Sequence, residues 1–195
     1  MTSRQLITLF PLLLLATFSG WLAYKNSQAI VQNQNAAQNP DSFTKNVAAM
    51  RMNVDSGTPQ DELFAPNMVH YPAGDTTNVT TPHIVIFNAD GTNNEPWHIY
   101  SLKGQAQNGT TIVQLWDHVR LHQAAGPNNS EMTITTSALT VYPKDQYATT
   151  QQPVQLVQPG GVANSVGLRA DLKTGDIQLF SQARGHYQQA PAATQ

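Results

Sequence analysis

WHIYSLKGQAQNGTTIVQLWDHVRLHQ, residues Trp97–Gln123, is the stretch whose reading decides the fold. It reads as strand, turn, strand, kink, strand. Ile99, Ser101 and Lys103 point one way, and His98, Tyr100 and Leu102 the other. Which of these parities faces inward is left open by the pattern. Asn108-Gly109 marks a tight turn, because both residues tolerate the positive φ that hairpins need. Ile112–Trp116 then predicts a return strand, and Val119-Arg120-Leu121 resumes a period of two. Such a period means a sheet with two unlike faces.

The layout recurs. Ile99–Leu121 is a first copy and Met132–Gln158 a second. In the second, Ile134, Leu139 and Val141 precede a turn at Pro143-Lys144-Asp145, and Gln152-Pro153 makes a kink before Val154-Gln155-Leu156. Val166–Tyr187 is a third, with Leu168, Ala170 and Leu172 before Thr174-Gly175-Asp176, then Ile177, Leu179 and Phe180. Trp116–Leu121 thus aligns with Gln151–Leu156. Units of roughly 30 residues built from short strands predict stacked antiparallel hairpins. Each unit is too thin to bury its own apolar face, so neighbours share an interior. After the linker no segment holds a 3.6 period over ten residues, and the spacing of turns points to an all-β sandwich or roll.

Working outward, Val47–Asp55 alternates, with Ala48, Met50, Met52 and Val54 on the face expected to be buried, and Ser56-Gly57 ends it. Leu63–Ala65 and Met68–Tyr71 are expected as short strands separated by Pro66, which cannot donate to a central ladder. Ala73-Gly74-Asp75 turns the chain, Val79 and Ile84–Phe87 follow, and Asp90-Gly91 is the next hairpin signal. An open sheet leaves unpaired N–H and C=O groups on its terminal strands, where another β protein can add on.

Upstream, Leu6–Tyr24 carries no charge. As a helix it would span roughly 28 Å, close to one bilayer core. Arg4 before it, Lys25 after it, and Trp21 and Tyr24 at its end predict an uncleaved anchor (6–24) after a short cytoplasmic N-terminus (1–5). The rival is a signal peptide cleaved near Ser19 or Gly20. Residues 25–46 are expected to be a polar linker, 47–187 the β domain and 188–195 a Gln/Ala/Pro tail.

Composition narrows the function. Of 195 residues, 11% are charged and the net charge is -2, which gives no electrostatic case for nucleic acid. The chain has no cysteine, so a thiol nucleophile, disulfides and thiolate metal sites are excluded. His118 and His122 are four apart, a metal-ligand spacing on a helix; on a strand they read as a surface pair. His70, His83, His98 and His186 carry no ligand spacing. No paired-carboxylate pattern, nucleophile elbow or phosphate loop is present, so no catalytic residue, metal or cofactor is expected.

The ordered set Thr81-Pro82-His83-Ile84-Val85-Ile86-Phe87, Pro96-Trp97-His98-Ile99, Lys103-Gly104-Gln105-Ala106, Leu115-Trp116-Asp117-His118-Val119, Ile134–Leu139 and Gly167–Leu172, after a single span and a linker, resembles the lipopolysaccharide export proteins of the LptC family. It departs from the family in its Gln/Asn-rich, charge-poor surface and at Trp116-Asp117-His118, where a Tyr/Gly pair is commoner. The resemblance implies a twisted open β-jellyroll in the periplasm, tethered to the inner membrane. It implies partnership with an ABC transporter (permease and ATPase of the LptB, LptF and LptG type), which delivers lipopolysaccharide. It implies handover to a periplasmic bridge protein of the LptA type by edge-to-edge strand pairing. Under that reading Met50, Met52, Val79, Ile84, Ile86, Ile99, Ile134, Leu139, Val141 and Leu156 are expected to line an apolar trough. Ala48 and Val54 would face the transporter; Ile177, Leu179, Ala183 and His186 would face the bridge. Two rivals remain from other classes: an adaptor that tethers partner β domains without binding lipid, and a secreted hydrolase or glycan-binding domain freed by signal cleavage.

Overall fold

The computed structural model describes residues 39–87 and 95–187. The expected N-terminal segment (1–5), anchor (6–24), most of the linker, the Asp90-Gly91 turn and the tail (188–195) lie outside the described residues. Among the described residues no helix is long and apolar enough to cross a membrane.

Eleven strands follow in order: β1 (Ser42–Met52), β2 (Pro59–Tyr71), β3 (Thr76–Thr80), β4 (His83–Ile86), β5 (Trp97–Tyr100), β6 (Lys103–Gln107), β7 (Ile112–Gln123), β8 (Met132–Tyr142), β9 (Tyr147–Gln158), β10 (Gly161–Asp171) and β11 (Ile177–Tyr187). They form one sheet in which every pairing is antiparallel. β3 and β4 act as one interrupted strand along β2, and β5 and β6 as one along β7. The sheet is therefore a meander of long strands, each broken near its middle.

The breaks lie side by side. Asn46 sits opposite Pro66, and Thr81-Pro82 opposite Ala65-Pro66. Ser101-Leu102, Asp117-His118, Ser137, Gln151–Pro153, Gly167 and Gln182 continue the line to the last strand. Positive φ at Asn46, Thr81, Asp117, His118, Gly167 and Gln182 is the mark of the bulges that bend a strand. Pro66, Pro82 and Pro153 fall on the same line, where the ladder is already interrupted and a missing N–H costs little. Hydroxyls from Ser101, Thr150, Ser165 and Ser181 donate to Lys103 O, Ala138 O, Gly167 O and Val166 O at 2.6–3.1 Å, capping carbonyls that the bends release.

This corner folds the sheet into two halves. Half A ends in the turns at 72–75, 108–111, 143–146 and 172–176; half B holds β4, β5 and the opposite ends of the longer strands. In half B, Leu63, Ile84, Ile99, Leu121, Ile134, Leu156 and Ala163 form one row, each opposite the next. In half A, Ala106, Val113, Val141, Ala148, Ala170 and Ile177 form another. Side chains from both halves, Leu115, Val141 and Leu168 with Ile86, Trp97 and Ile134 among them, belong to one contiguous core. Burying each large aliphatic contributes about 1.5–3 kcal/mol. At the tips, Gln146 Nε2 of half A donates to Phe87 O of half B at 2.9 Å.

The all-β, antiparallel expectation agrees with this structure, as do the turns at Asn108-Gly109, at Pro143–Asp145 and at Gly175. Three local expectations are corrected. Lys103 does not share a face with Ile99, because the corner at Ser101-Leu102 shifts the alternation by one; Trp97, Ile99 and Ser101 are buried while Lys103 is exposed and Gly104 buried. Leu63–Ala65 and Met68–Tyr71 are one strand bent at Pro66. β1 begins at Ser42, inside the expected linker, and its half-buried residues are Val47 and Arg51 rather than Ala48, Met50 and Met52. A terminal strand has one neighbour and no layer over its outer face, so its alternation cannot report burial.

Candidate functional site: a cleft between the half-sheets

From β4 to β10 the interior is filled: Ile86, Trp97, Ile99, Leu121, Ile134, Val141 and Leu168 are all inaccessible to solvent. Toward β1 the halves diverge, and a cleft of about 160 Å³ opens. Half B supplies Ala49, Met50, Leu63 and Ile84 to its walls. Half A supplies Val79, Ala106, Val113 and Leu115, with Pro82 at the corner and Pro143 at a tip. Gly104 also lines it; a Cβ there would lie 3.0 Å from Leu115 Cδ2 and 3.2 Å from Pro82 Cγ, so a side chain would crowd the corner.

Charges enter the walls at Arg51, Asp61 and Glu62. Arg51 and Asp61 are cross-strand partners on the inward face, one row beyond Ala49 and Leu63. Arg51 donates from Nε to Asp61 Oδ2 at 2.8 Å and from Nη2 to the same oxygen. Burial pushes the Asp61 carboxyl above its ordinary value, and the attraction of Arg51 only partly opposes this. Glu62, one residue on, has the opposite parity, and its charge acts on His83 on the outer face. There Phe64, His83 and Tyr100 stack in a row, with His83 Nε2 and His98 Nδ1 3.0 Å apart. Burial, then the neighbouring His98, pushes the His83 imidazole below its ordinary value.

Of the residues expected to line a trough, Met50, Val79 and Ile84 line the cleft. Ile86, Ile99, Ile134, Leu139, Val141 and Leu156 sit in the filled core that continues from it. Met52 is 45% exposed and stands apart. Arg51 and Asp61 were not singled out by the alternation. Their signal was the pairing of opposite charges placed symmetrically about the turn at Ser56-Gly57, which an antiparallel hairpin must bring together. Among the residues expected at partner surfaces, Ala48 lies on the exposed outer face of β1, and Val54 is past its end and 97% exposed. Ile177 and Leu179 pack against the core, while Ala183 and His186 are exposed on β11. β1 pairs only with β2, and β11 only with β10, among the described residues. His118 stands at the corner, and His122 Nδ1 lies 3.1 Å from Thr133 Oγ1. No group of three or more His, Asp or Glu is arranged to hold a metal among the described residues.

The family description "Lipopolysaccharide-assembly, LptC-related" matches residues 12–188. The chain belongs to the LptC family. LptC proteins are components of lipopolysaccharide transport in the cell envelope, not enzymes. No curated protein matches the chain. Among solved structures it is similar to Pseudomonas aeruginosa LptH, described as the LptA-homologous periplasmic component of the lipopolysaccharide transport device. The identity is 7%, the TM-score 0.39, and the match covers 79% of this chain and 98% of that one.

Proposed function

We propose that this LptC protein is anchored in the inner membrane by residues 6–24 and carries lipopolysaccharide through the periplasm with its β domain. In this reading it receives the lipid from an ABC transporter at the β1 edge. It passes the lipid to a periplasmic bridge protein of the LptA type at the β11 edge. The observation that supports it is the apolar cleft, which opens beside the terminal strand β1 and continues into an apolar core running to β11. Each CH₂ withdrawn from water is worth about 0.8 kcal/mol, so several acyl chains cannot cross an aqueous compartment uncovered. An apolar cavity of roughly 150 Å³ takes a benzene-sized guest. The cleft in its present state thus admits part of one chain, and further chains require the half-sheets to part. Ala48 and Val54 would contribute to the transporter side, and Ile177, Leu179, Ala183 and His186 to the bridge side. The work comes from ATP hydrolysed by the transporter, because this chain has no nucleotide loop.

The filled core between β4 and β10 favours a second reading, in which the domain only tethers partner β domains. Mass spectrometry of lipid extracted from the purified full-length chain separates the two. Stoichiometric lipopolysaccharide, lost when Val79 or Ile84 is replaced by Asp, is expected of a carrier. Absence of lipid with intact binding of a partner β domain would establish the adaptor instead.

A further inference from the structure

One inward row of half B is apolar from Ala49 across to Ala163, and the next row toward the tips begins with an ion pair, Arg51–Asp61, at the rim of the cleft. Stability does not account for it. β1 is already held to β2 along its whole length by backbone pairing. A half-buried ion pair loses in desolvation much of what it gains in attraction, and apolar residues of similar volume do as well or better. The pairing geometry is also incomplete. A guanidinium carries five N–H donors in a fork that matches two oxygens of a carboxylate or phosphate. Here two of those donors, from Nε and Nη2, converge on the single oxygen Oδ2 of Asp61. The rest of the fork is left for another acceptor. Arg51 is also the cationic side chain among those lining the cleft.

We propose that Arg51 binds a phosphate on the head of the lipid whose acyl chain occupies the cleft, and that Asp61 holds the guanidinium in position until the phosphate replaces it. The proposal rests on the lipid-carrier reading above and adds to it the group that sets the lipid's orientation. With the chain against Leu63, Val79 and Ile84, the head lies at the rim, one row outward, where Arg51 stands. A phosphate offers several oxygens to the fork and so takes both arms in parallel, which the single Asp61 oxygen does not. The carboxyl that is displaced is already disfavoured as an anion by its burial.

The test uses the full-length protein in detergent. The probes are a phosphorylated glucosamine-based acyl lipid and the same lipid after phosphatase treatment. The wild-type chain is expected to prefer the phosphorylated form by about tenfold or more, the scale of a charge-assisted hydrogen bond. Arg51→Met should bring that ratio to about one. Arg51→Lys should keep part of the preference. Asp61→Asn, which removes the competing charge and keeps the shape, should raise affinity for the phosphorylated lipid several-fold and guards against a variant that fails to fold. Equal binding of both lipids by the wild type, or an undiminished preference in Arg51→Met, would overturn the role of Arg51 and leave the carrier reading standing. Failure of both lipids to bind would overturn both.

Discussion

At the scale of single residues, the corner shows how local chemistry fixes the fold. Gly167 has φ of 83°, and a Cβ on it would lie 2.6 Å from Phe180 Cδ2. Gly167→Ala is expected to lower stability by about 1–3 kcal/mol through backbone strain and the displaced ring. A denaturant midpoint equal to wild type would contradict that. His70 supplies a pH dependence. Its Nδ1 lies 2.6 Å from Asp41 Oδ1 and its Nε2 3.2 Å from Asp75 Oδ1, and these bonds raise its pKa above the ordinary 6.5. The folded state therefore holds the proton more tightly than the unfolded one. This contribution is full below pH 6.5 and is lost as pH rises through the higher folded value. Thermal unfolding of wild type and His70→Gln should differ most in mildly acidic buffer and converge in alkaline buffer; a difference independent of pH would exclude the ion pairs as its source. Little of this was visible beforehand. His70 carried no ligand spacing, because its partners lie 29 and 5 residues away in sequence.

At the scale of elements, alternation and turn chemistry made most strands legible. The hairpin repeat aligned Trp116–Leu121 with Gln151–Leu156, and both do cross the corner. What alternation could not carry was parity across a bend. Ile99 and Lys103 are two steps of two apart, yet one inserted residue sends them to opposite faces. Edge strands defeat it for another reason: Ala48, Met50 and Met52 alternate on β1 but stand on its uncovered face, while Val47 and Arg51 are the half-buried ones. The corner itself depends on hydroxyl groups that sequence alone leaves undistinguished from surface polarity. Thr150 is buried, and its Oγ1 donates to Ala138 O at 2.6 Å. Thr150→Val keeps the shape and strips that carbonyl of its donor, at a cost of about 1–3 kcal/mol. Urea titration would show it as a lowered midpoint with unchanged slope. No loss would mean that the bends need no such capping.

At the scale of the whole molecule, one sheet folded on itself gives an interior that is filled in the middle and open beside β1, and among the described residues its two terminal strands each pair along one edge only. The bond from Gln146 to Phe87 O ties the tips of the two halves. Gln146→Ala should loosen them, and hydrogen exchange at the tips of β8 and β9 and around Phe87 should quicken by about tenfold, as one buried hydrogen bond is worth roughly that much. Exchange unchanged at those amides would show that the core alone holds the halves together. The central claim is that acyl chains enter between the halves. A photoreactive residue placed in cells at Val79 or Ile84, inside, and at Arg120, on the exposed outer face, measures this directly. Crosslinks to lipopolysaccharide from both inner positions and none from Arg120 are the predicted result; crosslinks from Arg120 alone, or from none of the three, would contradict it.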